Sequence, residues 1–218
     1  MRALFALATA LVASTSQAAW PTLAASAGYE SQIFTSRSYD LVDTNDFLPM
    51  FRVGAGAGFE VGRGFLDLTL SFSTGASRET AHAAQVATEF WLRGLELTGM
   101  YRRPVLSWLE PYAQLGLGWD WATLTFISAS RSSQTVSNVA GSGLVGVQLP
   151  VRMGTGRGRL PFMIFDVGGG YVLRPDYAFD AMAPERSDLP EPIADGSVNL
   201  GRLPMHGWVW RVLVSVRW

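Results

Sequence analysis

The last twelve residues, GWVWRVLVSVRW (207–218), alternate with a period of two. Trp208, Trp210, Val212, Val214, Val216 and Trp218 share one parity, and Val209, Arg211, Leu213, Ser215 and Arg217 share the other. That is the period of a β-strand and not of a helix. One face is wholly apolar and the other is mixed. At ~3.3 Å per residue and a tilt of about 40°, Trp208 and Trp218 stand roughly 25 Å apart along a membrane normal. Tryptophan at both ends of a valine stretch fits the two aromatic girdles that flank a hydrocarbon layer. A half-buried strand of a soluble sandwich would alternate in the same way.

The same period recurs along the chain. Eight candidate strands fall at 23–35, 49–62, 65–73, 85–102, 112–124, 139–151, 161–173 and 207–218. The second sets Phe51, Val53, Ala55, Ala57, Phe59 and Val61 against Arg52, Gly54, Gly56, Gly58 and Glu60. In the fourth the apolar parity changes between Phe90-Leu92 and Leu95-Leu97, which predicts a bulge near Arg93-Gly94. Connections 36–48, 75–84, 126–138 and 174–204 are longer or more polar. Connections 62–64, 103–111 and 152–160 are shorter and carry Arg63, Arg103, Arg152, Arg157 and Arg159. This asymmetry and the even strand number place both termini on the side of the short turns.

The N-terminus reads as a signal peptide over 1–18. Arg2 precedes an apolar run at 3–13, and a small polar stretch ends at Ser16-Gln17-Ala18. Residues 19–218 then form one barrel domain. No stretch approaches the ~20 apolar residues of a spanning helix. Without cysteine, neither disulfides nor a thiolate metal site is available. The formal net charge of −1, with every basic residue an arginine, gives no support for nucleic-acid binding.

Two segments carry a family resemblance: Pro111-Tyr112-Ala113-Gln114-Leu115-Gly116-Leu117-Gly118-Trp119 and the terminal GWVWRVLVSVRW. With them the chain resembles the small outer-membrane barrels of the OmpA/OmpX type. The resemblance implies an all-β fold, an eight-stranded antiparallel transmembrane up-and-down β-barrel, in the bacterial outer membrane. It also implies that Trp210, Val214, Val216 and Trp218 act as the signal read by the barrel-assembly machinery; the final tryptophan stands where phenylalanine is more usual.

If the apolar faces meet lipid, then Glu30, Arg52, Glu60, Asp67, Asp120, Asp166, Arg211 and Arg217 point into the lumen. Buried charges of both signs must pair, and Arg52 and Arg211 are the expected central partners of the carboxylates. Trp119, Trp121, Tyr171, Trp208, Trp210 and Trp218 form the expected aromatic girdle. His82 and His206 lack a serine and an acid that would make a catalytic set, so no enzyme activity is expected. Nothing calls for a cofactor or a metal. Gly54-x-Gly56-x-Gly58 and Gly168-Gly169-Gly170 open no helix, so packing within the lumen explains them better than phosphate binding.

The acidic segment 174–204 is the expected surface for an extracellular partner. Outer-membrane lipid and lipopolysaccharide are the other expected contacts. The role expected is structural or adhesive, with the lumen plugged by polar side chains. A narrow pore for ions or small solutes is the alternative. A soluble periplasmic ligand-binding barrel is the further one, because alternation does not say whether the apolar face points outward or into a cavity.

Overall fold

A computed structural model describes residues 21–35, 46–81, 86–127, 131–153, 161–180 and 201–218. The expected signal segment, His82 and the centres of the first and last long connections lie outside the described residues. Among those described, the strands are β1 (Thr22–Phe34), β2 (Phe47–Val61), β3 (Gly64–Ala81), β4 (Val86–Arg102), β5 (Glu110–Ile127), β6 (Arg131–Arg152), β7 (Phe162–Leu173), β8 (Tyr177–Phe179), β9 (Gly201–Leu203) and β10 (Gly207–Arg217). Eight close into a barrel in the order β1-β10-β7-β6-β5-β4-β3-β2, while β8 and β9 pair with each other. Every pairing is antiparallel.

The register fixes the stagger. From Trp208 the ladder runs through Tyr171, Gly143, Leu115, Gly99, Leu68, Ala57 and Leu23. It returns to β10 through the reciprocal backbone bonds of Leu23 and Trp218, both 3.0 Å. One circuit therefore climbs down β10 by ten residues, from its outer to its inner tryptophan. For eight strands that stagger requires a tilt of about 40°.

The sequence places Trp208 and Trp210 outward at one end of β10 and Trp218 at the other, and all three are exposed. On β5, Leu115 and Leu117 are 74% and 66% exposed while Gln114 and Asp120 are buried. The apolar parity faces outward and the polar parity faces inward. That orientation suits lipid and removes the soluble barrel, whose outer face would have to meet water.

Two expectations need correction. The bulge at Arg93-Gly94 is absent, because β4 pairs without interruption from Arg102↔Phe65 to Val86↔Ala81 on one side and from Arg102↔Tyr112 to Ala87↔Ile127 on the other. Phe90 and Leu92 are fully buried inside the barrel, and the change of parity reflects a lumen that becomes apolar towards its outer end. Connections 75–84 and 126–138 are also largely strand. β3, β5 and β6 are 18, 18 and 22 residues long, against the ~9–11 that span a bilayer. The long-connection end is thus marked by hairpins that overhang the membrane, whereas β1, β7 and β10 have 13, 12 and 11 residues.

Candidate functional site

The polar parities converge in the lumen as stacked clusters. Towards the short-turn end, the Arg102 guanidinium lies 2.7 Å from Asp67 and 2.6 Å from Glu110, and Arg217 stands 3.5 Å from each. Arg217 also donates to Gln148 Oε1 at 3.0 Å. One layer further out, the Tyr112 hydroxyl and Gln148 Nε2 both donate to Asp166 at 2.9 Å. Arg211 faces Asp166 at 3.7 Å and donates to Gln114 Oε1. Glycine is required beneath this layer: a Cβ at Gly146 or Gly168 would strike the Tyr112 ring.

Near mid-height Arg52 ties β1, β3 and β4 to its own strand β2. It pairs with Glu30 at 2.9 Å and with Glu96, and it donates to Ser71. Glu96 also accepts from Ser142. Above this cluster Arg174 reaches back from the end of β7 to pair with Asp120, donating to Gln32 Oε1 at 2.7 Å and to the Met205 carbonyl at 3.2 Å. A cavity of about 60 Å³ lies below Arg52 and one of about 20 Å³ above it, and Arg52 lines both. Asp67 Oδ1, Gln114 Nε2 and Arg211 Nε belong to residues lining the larger cavity and accept or donate no hydrogen bond within the protein. A few waters would satisfy them.

Of the sequence-derived lumen set, the structure buries Glu30, Arg52, Asp67, Asp120, Asp166, Arg211 and Arg217. Glu60 is exposed at the rim beside the Gly62-Arg63 turn, because inward parity buries a side chain only where opposite strands enclose it. Arg211 keeps a carboxylate partner, but Arg52, Arg102 and Arg217 each reach two. Glu96, Arg102, Glu110 and Arg174 were not among the expected residues. The first two alternate with Leu95, Leu97 and Tyr101 on β4, so the same period of two could have found them. The others sit at strand ends, on the inward parity of β5 and just past β7.

No family model matches the sequence, and no curated relative matches it significantly. Solved structures do. The attachment invasion locus protein Ail of Yersinia pestis, in complex with the heparin analogue sucrose octasulfate, aligns with 92% of this chain and 100% of its own at 14% identity and a TM-score of 0.51. Neisserial surface protein A aligns over 90% and 94% at 14% identity and a TM-score of 0.43. The β-barrel domain of Pseudomonas aeruginosa OprF aligns over 90% and 97% at 12% identity and a TM-score of 0.38. The chain has the fold of the small outer-membrane β-barrels.

In this outer-membrane barrel fold, the outer mouth is closed by the ends of the last long connection. Tyr177 and Phe179 of β8, Leu203 of β9 and Met205 pack with Phe34, Leu48, Met50, Phe90, Leu92, Ala122 and Leu124 in one buried cluster. Segment 174–204 therefore does not behave as a solvated loop over its described ends. Burial pushes the Tyr177 hydroxyl above its ordinary range, partly offset by the Arg174 charge. On the outer wall Tyr171 meets Trp208 edge-on at 5.3 Å and Tyr29 meets Trp210 at 5.6 Å. His206 packs 6.4 Å from Tyr171. Among the described residues no three His, Cys, Asp or Glu side chains converge as a metal site.

Proposed function

We propose that this chain is an integral outer-membrane protein whose lumen is plugged and whose role is structural or adhesive, carried by its outer surface. The observation that supports the plug is the pairing of Arg52 with Glu30 and Glu96 across the mid-lumen, with an apolar cluster stacked above it. Eight strands leave room for little more than side chains. An ion crossing here would have to break buried pairs and then enter an apolar cap. A surface role is supported by the overhang of β3–β6 and by the likeness to Ail, which was crystallised with a polysulfated sugar.

Residues 1–18 act as a cleaved signal in this reading. Trp210, Val214, Val216 and Trp218 present the assembly signal, and Trp119, Trp121, Tyr171, Trp208, Trp210 and Trp218 seat the barrel at the two interfaces. Planar-bilayer recording tests the plug: purified, folded protein should insert without steady openings. Reproducible conductance steps would replace this reading with the narrow pore.

A further inference from the structure

The outward face of the overhanging strands carries cations that neither the lumen nor the cap uses. On β4 the outward column runs Glu89, Trp91, Arg93, Leu95, Leu97. Arg93 pairs in register with Trp121 of β5 and Thr74 of β3. Its guanidinium carbon lies 5.5 Å from the centre of the Trp91 ring. Arg93 thus sits at an aromatic rim with its charge directed out of the barrel. Four residues further out, about 10 Å higher on the tilted strand, Arg78 and Arg131 both approach Glu89, at 3.6 and 3.3 Å.

One carboxylate cannot neutralise three guanidinium groups. The side chains of Arg78 and Arg131 are 66% and 68% exposed, so their pairs with Glu89 are weak and exchangeable. The Thr123 hydroxyl lies alongside on β5, 2.9 Å from that of Thr135 on β6, and this pair is exposed. Guanidinium groups and hydroxyls together make good phosphate donors. On the opposite wall the described residues exposed near the outer rim include Ile33, Phe47, Leu173 and Trp208, all apolar.

We propose that this face binds the phosphorylated headgroup of a lipid in the outer leaflet, with Arg93 at the rim and Arg78 and Arg131 above it. A lipid is favoured over a soluble anion because the cations lie on the lipid-facing wall and continue downward into apolar surface. Below Arg93 come Leu95, Leu97, Leu117 and Leu115, all exposed, and then a shallow groove of about 710 Å³ that includes Leu66, Tyr101 and Val145. One amphiphile meets both parts: phosphate against arginine, acyl chain against leucine. The site requires the membrane barrel but is independent of whether the lumen conducts.

The test uses folded full-length protein in detergent, with native mass spectrometry reading retention of bisphosphorylated lipid A against the same glycolipid with its phosphates removed. Wild type should retain the phosphorylated form in preference. The triple variant Arg78→Ala/Arg93→Ala/Arg131→Ala should lose affinity by roughly a hundredfold, and Glu89→Gln should tighten binding by about fivefold. Heat-modifiable gel mobility shows that each variant is folded. Equal retention of both lipids, or no change in the triple variant, overturns the site and leaves the barrel reading standing. A heparin fragment that binds through these arginines while lipid A does not would overturn it in favour of a soluble polyanion. Protein that fails to insert into bilayers overturns both readings.

Discussion

Phe90 and Glu96 point to the same side of β4, yet one is sealed in an apolar cluster and the other lies among guanidinium groups. The difference follows their depth in the lumen. At mid-height the wall is ringed by lipid and backbone, and polar side chains there have only one another as partners. Near the outer mouth the wall rises past the membrane, and a cap of Tyr177, Phe179, Leu203 and Met205 excludes water as a soluble core would. One barrel therefore contains an ion-pair core and a hydrophobic core end to end.

The two cores should fail differently when cut. Arg52→Met leaves Glu30 and Glu96 buried without their shared cation and should cost about 3–5 kcal/mol, read by urea unfolding in lipid bilayers. Adding Glu30→Gln and Glu96→Gln should recover most of that loss, because a neutral set of similar volume has no unpaired charge. Failure of the triple variant to recover would mean that Arg52 acts through packing and not through charge. Phe90→Ala removes only contacts and should cost about 3 kcal/mol. No polar substitution elsewhere should rescue it.

Alkali separates the cores in a smaller way. Burial raises the Tyr177 hydroxyl above its unfolded value of about 10. Its contribution is therefore fully present below that pH and is lost as pH rises towards the folded value. Tyr177→Phe should flatten the decline of stability above pH ~10, measured as the urea midpoint against pH. The smallest effect is expected at the rim: Glu60→Gln should change stability by no more than about 0.5 kcal/mol, because its carboxylate is exposed. A loss comparable to that of Arg52→Met would place Glu60 in the network after all.

The alternation in β2, β5 and β10 was legible because lipid on one side and side chains on the other impose a strict period of two. It located most of the lumen charges, since any charged residue on the polar parity of a spanning segment must point inward. β4 misled for a physical reason. Phe90 and Leu92 look outward-facing only if the lumen is polar throughout, and that assumption produced a bulge; Glu96 and Arg102 alternate with the outward Leu95, Leu97 and Tyr101 and were legible on either reading. Strand length misled likewise, because Ser, Thr and Arg at 126–138 mark a strand leaving the membrane as readily as a loop. The cap was not readable at all: Tyr177 joins Leu48 and Leu124 in one buried cluster through long-range packing, and nothing in the composition of 174–204 announces that its ends fold inward.

A membrane barrel requires above all that the apolar parity of β10 face outward. The chain contains no cysteine, so single cysteines can be placed at positions 209, 210, 212, 213 and 214 and labelled with an environment-sensitive fluorophore in reconstituted vesicles. Labels at 210, 212 and 214 should be quenched by brominated lipid, and those at 209 and 213 should be shielded from it. The reverse alternation would mean that the apolar face lines the interior, and the membrane barrel would fall with it.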